Sequence, residues 1–222
     1  MAQARSLSRS EMKRALDTCL LMSNPLQKQS ILSLSFSGLR VTELTLLTVE
    51  DVIAKGGKLK NEIYLRASIT KGCKPRTVWL SKSTLQILSQ YIDHRRNKRL
   101  GMITDSKQYA GLNPKSKLIL SSKGAGYCLK AKVKTIQDGS KRTYYNNDTV
   151  EALIRSIYAR CGLHGARSHS GRRSLATTLN RKGIELEAIG KVLGHSPRNL
   201  NITLDYIDIS DIQLEKLYSL AL

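Results

Sequence analysis

Six residues that can handle phosphate groups and protons lie at element boundaries of this chain rather than inside its apolar runs: Arg40, Lys71, His169, Arg172, His195 and Tyr206. Two arginines offer planar, bidentate donors to the non-bridging oxygens of a phosphodiester. Two histidines can exchange protons near neutral pH, a lysine on a turn can act as a general acid, and a tyrosine can form a covalent intermediate. Each residue also has an ordinary explanation. An isolated arginine such as Arg40 usually serves structure or surface. His169 and Arg172, one helical turn apart, fit a local surface pair, and His195 after Gly194 fits a helix C-terminus. Together, and in this order, they point to chemistry on a phosphodiester.

The rest of the chain must bring those residues together and attract a polyanion. The 222 residues carry 37 Lys and Arg against 17 Asp and Glu, a formal charge of +20. So much like charge calls for an anionic partner, with nucleic acid first and an anionic membrane second. Aromatic residues are only 5%, with one Trp and one Phe. That supplies a base-stacking surface poorly and favours a protein that grips a duplex by its backbone. A hydrophobic fraction of 41% is enough for a real core and excludes a disordered tail protein. Cys19, Cys73, Cys128 and Cys161 are scattered, and Cys161 with His164 makes a lone CxxH without a second half. The expectation is free thiols in a reducing cytoplasm, with no metal and no cofactor. The first ten residues lack the apolar segment of a signal peptide, and no run is long enough to span a bilayer.

Hydrophobic spacing predicts a mainly helical α+β domain with a small antiparallel sheet. Ser8 and Glu11 have the spacing of a capping box and open a helix containing Leu16, Cys19 and Leu20. A turn at 23–25 precedes a helix over 26–37 that ends at Gly38, and another helix starts near Thr42. Two strands, 62–68 and 77–80, flank a basic turn at 71–75. A helix over 83–99 ends in His94, Arg95, Arg96, Lys98 and Arg99, cations that suit either the helix dipole or a phosphate. A short strand is expected at 118–121. Residues 123–147, rich in Lys and Gly, read as an inserted hairpin or a loop. Helices follow over 149–161, 170–182, 184–193 and 211–222. Residues 1–222 form one unit, with 1–8 as a flexible lead.

With these pieces placed, the sequence resembles the tyrosine recombinase, or phage integrase, family. The resemblance rests on the 38–44 box GLRVTEL, Lys71–Gly72 on the turn, His169–Ser170–Gly171–Arg172–Arg173, Leu193–Gly194–His195–Ser196, and Tyr206. It implies an integrase-type catalytic domain that cuts and rejoins double-stranded DNA for integration, excision or inversion. By that resemblance Tyr206 attacks the scissile phosphate and forms a 3′-phosphotyrosine. Arg40 and Arg172 clamp the phosphate, Lys71 protonates the leaving 5′-oxygen, His169 takes the tyrosine proton, and His195 hydrogen-bonds the phosphate. Glu43 supports Arg40.

Lys74 rivals Lys71 as the acid, and Tyr218 is the fallback nucleophile. Arg173, Lys74, Arg95, Arg96, Lys98 and Arg99 are the candidate DNA contacts, while His94 and His164 read as structural or surface residues. The interval between His195 and Tyr206 is longer than in most relatives. The resemblance further implies a homotetramer on two DNA sites, an accessory DNA-bending protein, no membrane partner, and a C-terminal 211–222 segment that docks on a neighbour or packs on its own domain. The helical core-binding domain that relatives place ahead of the catalytic domain is expected to be absent, because the chain is either naturally short or a fragment. The competing readings are a type IB topoisomerase and a DNA-binding regulator that kept the fold without the reaction.

Overall fold

A computed structural model describes residues 3–136, 139–196 and 201–208. Helix α1 (Arg9–Leu20) begins with the reciprocal pair expected at its start. Ser8 Oγ accepts the Glu11 N–H at 3.2 Å, and Glu11 Oε2 accepts the Ser8 N–H at 2.8 Å. Helix α2 (Pro25–Phe36) has proline at its first position, where no intrahelical donor is lost. Every residue from Gln27 to Ser35 is buried, so α2 is the central rod of the fold rather than an amphipathic surface helix. Several of its polar side chains bond to backbone: Ser30 Oγ donates to Leu26 O at 2.8 Å, and Gln29 Nε2 donates to Leu16 O at 3.0 Å.

Around this rod pack α1, α3 (Val41–Leu46), α5 (Lys82–Asn97), α6 (Asp148–Arg160) and α7 (Ser170–Arg181). The core joins Ile31, Leu32 and Leu34 of α2 to Leu44 of α3, Leu88 of α5, and Ile154 and Ile157 of α6. Short helix α4 (Val49–Val52) leads to strand β1 (Glu62–Leu65), which pairs antiparallel with β2 (Arg76–Trp79) in the register Glu62↔Trp79 to Leu65↔Arg76. Strands β3 (Lys130–Thr135) and β4 (Lys141–Asn146) form a second antiparallel pair. Helix α8 (Leu186–Leu193) and the four-residue α9 (Asn201–Leu204) complete the described elements. A satellite cluster of Ala176, Ile189 and Leu193, with Leu175, Leu179, Tyr206 and Ile207 packed on it, anchors the tyrosine segment to α7 and α8. None of the described helices is long and apolar enough to cross a membrane.

The mainly helical α+β class holds, with two small sheets rather than one. The first strand is shorter than its apolar pattern predicts, because the chain winds into single 3₁₀ turns at Ala67–Ile69 and Lys71–Cys73. Gly72 at φ 74° and Cys73 at φ 52° are left-handed, and no strand continues through them. The expected strand at 118–121 is not one. Leu118 and Ile119 are fully buried, but only isolated bridges form there, Thr48↔Lys117 and Leu120↔Gly126. The apolar run fills core without a partner strand. Residues 123–147 contain a true hairpin.

Residues 3–8, expected as a lead, pack against the domain. Ala4 and Leu7 are buried, the Leu7 N–H donates to Ser174 Oγ at 2.7 Å, and Arg5 Nε donates to His164 O at 2.8 Å. The expected helix over 211–222, Tyr218 within it, and residues 197–200 of the interval before Tyr206 lie outside the described residues.

Candidate active site

The site is built where three chain reversals meet. Gly38, at φ +91°, turns the end of α2 into α3. Arg40 then occupies the N-cap position, with its backbone N–H donating to Glu43 Oε2 and its Nη1 to Glu43 Oε1, both at 2.7 Å. Arg76, the first residue of β2, brings a second guanidinium to the same carboxylate: Nη1 to Oε1 and Nη2 to Oε2, again at 2.7 Å. Glu43 is fully buried. Burial alone would raise its pKa. The Arg76 hydrogen bonds and then the Arg40 and Arg76 charges outweigh that and hold it at about 2. The carboxylate is therefore a permanent anion that sets both guanidiniums. Among the described residues, Arg40 has no hydrogen-bond partner for its remaining donors, and its side chain is 16% exposed.

Arg172 enters from α7. That helix crosses α2 at very close range: a Cβ on Gly171 would lie 2.6 Å from Ser35 Oγ and 2.8 Å from the Ser35 carbonyl. Glycine thus lets Arg172 reach across to the turn after α2. Its Nη1 donates to Gly38 O, and its Nη2 donates to Leu193 O at 2.8 Å. The side chain is completely buried. Burial first, and the Arg40 charge second, bring its pKa down to about 10, which still leaves it charged at neutral pH.

His195 follows the left-handed cap Gly194 at the end of α8. Its Nε2 lies 3.4 Å from Arg172 Nη2, and its Nδ1 lies 3.0 Å from Thr203 Oγ1. A guanidinium has no acceptor, so Nε2 must present its lone pair, and Nδ1 carries the hydrogen toward Thr203. Burial, then the Arg172, Arg40 and Arg76 charges, lower the His195 pKa to about 4.

Tyr206 closes the group. Its ring stands 4.9 Å from the His195 ring, with the Arg172 guanidinium 5.5 Å from its centroid. Its hydroxyl is 3.4 Å from His169 Nδ1. His169 sits at the start of α7. Partial desolvation, followed by the Arg172 charge and more weakly those of Arg40 and Lys71, lowers its pKa. It therefore presents a neutral imidazole beside the tyrosine hydroxyl. An open cleft of about 460 Å³ at this point is lined by Glu151, Arg155, Arg167, His169 and Tyr206. Lys71 is exposed on its 3₁₀ turn, near enough for its charge to act on His169. Lys74 is exposed beyond it, with no described contact to the other site residues.

Two expected DNA contacts have other tasks. Arg95 is fully buried and ties the end of α5 to the following loop: Nη1 donates to Lys117 O and Leu118 O at 2.8 and 2.9 Å, and Nη2 to Ser116 Oγ at 3.1 Å. Arg173 is buried as well. It donates to Asp205 O and pairs with Asp208, whose other carboxylate oxygen accepts the Ser6 N–H at 2.7 Å. Arg173 thus holds the Tyr206 segment from both sides, and it also lines the cleft beside His169 and Tyr206. Arg96, Lys98 and Arg99 are exposed, and Arg96 pairs with Asp93 at 3.3 Å. His94 is half-buried and His164 exposed. Sequence reasoning missed Arg76 and Thr203, whose partners lie 33 and 8 residues away.

The sequence profile described as the phage integrase family matches residues 5–212. The chain is 29% identical over 201 residues to tyrosine recombinase XerD of Staphylococcus epidermidis, covering 90% of this chain and 56% of that protein. It is 25% identical over 212 residues to tyrosine recombinase XerA of Pyrococcus horikoshii, covering 96% of this chain and 59% of that one. The chain thus spans little more than half the length of these curated relatives. A crystal structure of XerA recombinase superposes with a TM-score of 0.69 at 23% identity, over 100% of this chain and 66% of that one. The likeness in structure extends the agreement to the fold.

Proposed function

Because the chain belongs to the phage integrase family, we propose that it is a site-specific DNA recombinase that cleaves and rejoins duplex DNA through a covalent 3′-phosphotyrosine. The observation that carries this reading is the clustering of Arg172, His195, His169 and Tyr206, with the Arg40 charge acting on Arg172, from segments spread over residues 40–206. A regulator that only binds DNA has no need of a tyrosine hydroxyl set against a neutral histidine.

In the proposed step, the Tyr206 oxygen attacks phosphorus as its proton passes to His169. The bond from phosphorus to the 5′-oxygen breaks, and Lys71 supplies the proton that the leaving oxygen takes up. Arg40 and Arg172 donate to the non-bridging oxygens where charge develops. Glu43 and Arg76 hold Arg40 in place, and Arg173 holds the tyrosine segment. The phosphotyrosine keeps the energy of the broken ester, so attack by a 5′-hydroxyl reverses the step and reseals the strand. In this reading four copies assemble on two DNA sites, with help from an accessory bending protein, in the cytoplasm on nucleoid DNA.

The test is incubation with nicked duplexes from the DNA flanking its gene, followed by a search for an SDS-resistant protein–DNA adduct. Wild type should form the adduct. Tyr206→Phe should form none while binding DNA with nearly unchanged affinity. An adduct from Tyr206→Phe, or none from wild type on any flanking duplex, would overturn the reading. Exchange of strands between two labelled duplexes separates recombination from simple relaxation.

A further inference from the structure

The β3–β4 hairpin has no part in the cleavage chemistry, yet its side chains are sorted. Residues opposite one another in an antiparallel pair project to the same face, and faces alternate along each strand. The register Lys130↔Asn146, Lys132↔Tyr144 and Lys134↔Arg142 therefore gathers those six on one face. The other face carries Ala131, Val133, Thr135, Lys141, Thr143 and Tyr145. Four of the five cations in the two strands share a single face. Protection of a sheet edge against aggregation needs lysines, but it does not need them sorted in this way.

The cationic face is costly to the isolated protein. Lys134 stands directly opposite Arg142, and like charges in that position repel. Lys132 meets Asp148 at 2.5 Å, but no carboxylate pairs with Lys130, Lys134 or Arg142 among the described residues. All three are exposed. A polyanion laid on this face removes the repulsion.

The position of the ribbon selects which polyanion. Asn146, at the inner end of the cationic face, donates to Asp148 Oδ1 at 3.1 Å and to Glu151 Oε2 at 3.3 Å. Glu151 lines the same cleft as His169 and Tyr206. The row of cations thus starts at the mouth of the active site and runs outward for six residues, roughly 20 Å. That is more than half of a duplex turn of about 34 Å.

We propose that the β3–β4 ribbon is a second duplex-DNA contact, laying Lys130, Lys134 and Arg142 along the phosphates that flank the cleavage point. The proposal rests on the reading of the cleft as a DNA-cleaving site. Contact through phosphates alone makes it independent of base sequence.

The experiment uses the full chain and a fluorescein-labelled mixed-sequence duplex several helical turns long, with anisotropy titrations across a series of salt concentrations. The triple variant Lys130→Gln, Lys134→Gln, Arg142→Gln should lose roughly 2 to 3 from the slope of log affinity against log salt, about 0.9 per phosphate contact. Its affinity should fall at least about tenfold near 0.1 M salt. The pair Val133→Thr and Tyr145→Thr, on the opposite face, should bind as wild type. Lys134→Glu gives an independent reading. It creates a cross-strand pair with Arg142 that should raise or preserve thermal stability, while a DNA contact at this position requires weaker binding.

An unchanged salt slope in the triple variant, or unchanged affinity in Lys134→Glu, would overturn the proposal. The adduct assay on nicked duplexes is run in parallel. Adduct formation with no ribbon effect sinks the ribbon and spares the recombinase reading. A ribbon effect on binding with no wild-type adduct sinks the recombinase reading and leaves the ribbon as a DNA contact.

Discussion

Replacing Glu43 with Gln should destabilise the fold by about 3 kcal/mol at neutral pH, and the loss should shrink in acid. The carboxylate accepts four hydrogen bonds of 2.7 Å from Arg40 and Arg76 at a fully buried position. An amide keeps one acceptor and turns an NH₂ group toward one of two guanidiniums. Breaking a buried ion pair from one side costs about 3 to 5 kcal/mol. The lowered pKa leads to a similar figure: from 4.5 to about 2 is roughly 2.5 units at about 1.4 kcal/mol each, or about 3 kcal/mol. Because the folded value is depressed, this stabilisation is complete above about pH 4.5 and is lost as pH falls toward about 2. Glutamine has no such contribution to lose. Urea unfolding followed by far-ultraviolet circular dichroism, on both proteins from neutral pH down to about pH 3, measures the gap directly. A gap below about 1 kcal/mol at neutral pH, or a gap that stays constant into acid, would refute the argument.

Other substitutions test the remaining joints of the site. Gly171→Ala places a methyl 2.6 Å from Ser35 Oγ and 2.8 Å from its carbonyl. It should lower stability by roughly 1 to 3 kcal/mol and reduce adduct yield by shifting Arg172, so an unchanged thermal midpoint would contradict the close-crossing argument. Arg172→Lys keeps the charge but cannot hold Gly38 O and Leu193 O with one planar group. Its adduct rate should drop about 100-fold or more, and a rate near wild type would be inconsistent with a clamp. His195 in DNA-free protein should stay neutral, with its hydrogen on Nδ1, down to about pH 5, because its value is pushed to about 4. The unfolded chain takes up that proton first, so His195 works against the fold as pH drops between about 6.5 and 4. Nitrogen-15 NMR of the imidazole checks this, and a midpoint near the ordinary value would be the wrong result.

How much of this was legible in the sequence depended on how far each signal had to reach. The Ser8–Glu11 cap and the stop at Gly38 are local, and the structure has them where the spacing predicts. The six chemical residues could be named because their types and order are unusual together, although no local pattern shows that they meet. Arg95 misled because a basic run looks uniform. Its helical phase was readable, since Leu88, Tyr91, Ile92 and Arg95 fall on one buried stripe of α5. Arg173 shares a buried face with Ala176 and Thr177 in the same way. Arg76 had no such signal: its partner carboxylate lies 33 residues away in another element. The hairpin at 130–146 was open to two readings because Lys alternating with Ala131, Val133 and Thr135 carries too little apolar content to specify either a core strand or a loop.

The charges around Arg172 fit the proposed transition state better than the substrate. Arg40, Arg76 and Arg172 carry three positive charges against the single anion of Glu43, which leaves +2 with His195 neutral. A phosphodiester brings −1. In the proposed step, attack by Tyr206 adds a second negative charge on the phosphoryl oxygens while His169 gains the compensating positive charge with the tyrosine proton. In that step the negative charge that Arg40 and Arg172 would face grows as the reaction proceeds, and interactions that strengthen toward the transition state are the ones that accelerate chemistry. The same surplus governs His195. After burial, the causes of its lowered pKa are the three arginine charges. An arriving phosphate neutralises part of that field and restores the affinity of Nε2 for a proton. In the proposed reading His195, whose Nε2 lies 3.4 Å from Arg172 Nη2, becomes a donor to the phosphate once DNA is bound. A proton held back until substrate arrives keeps the tyrosine beside a neutral neighbour while no DNA is bound.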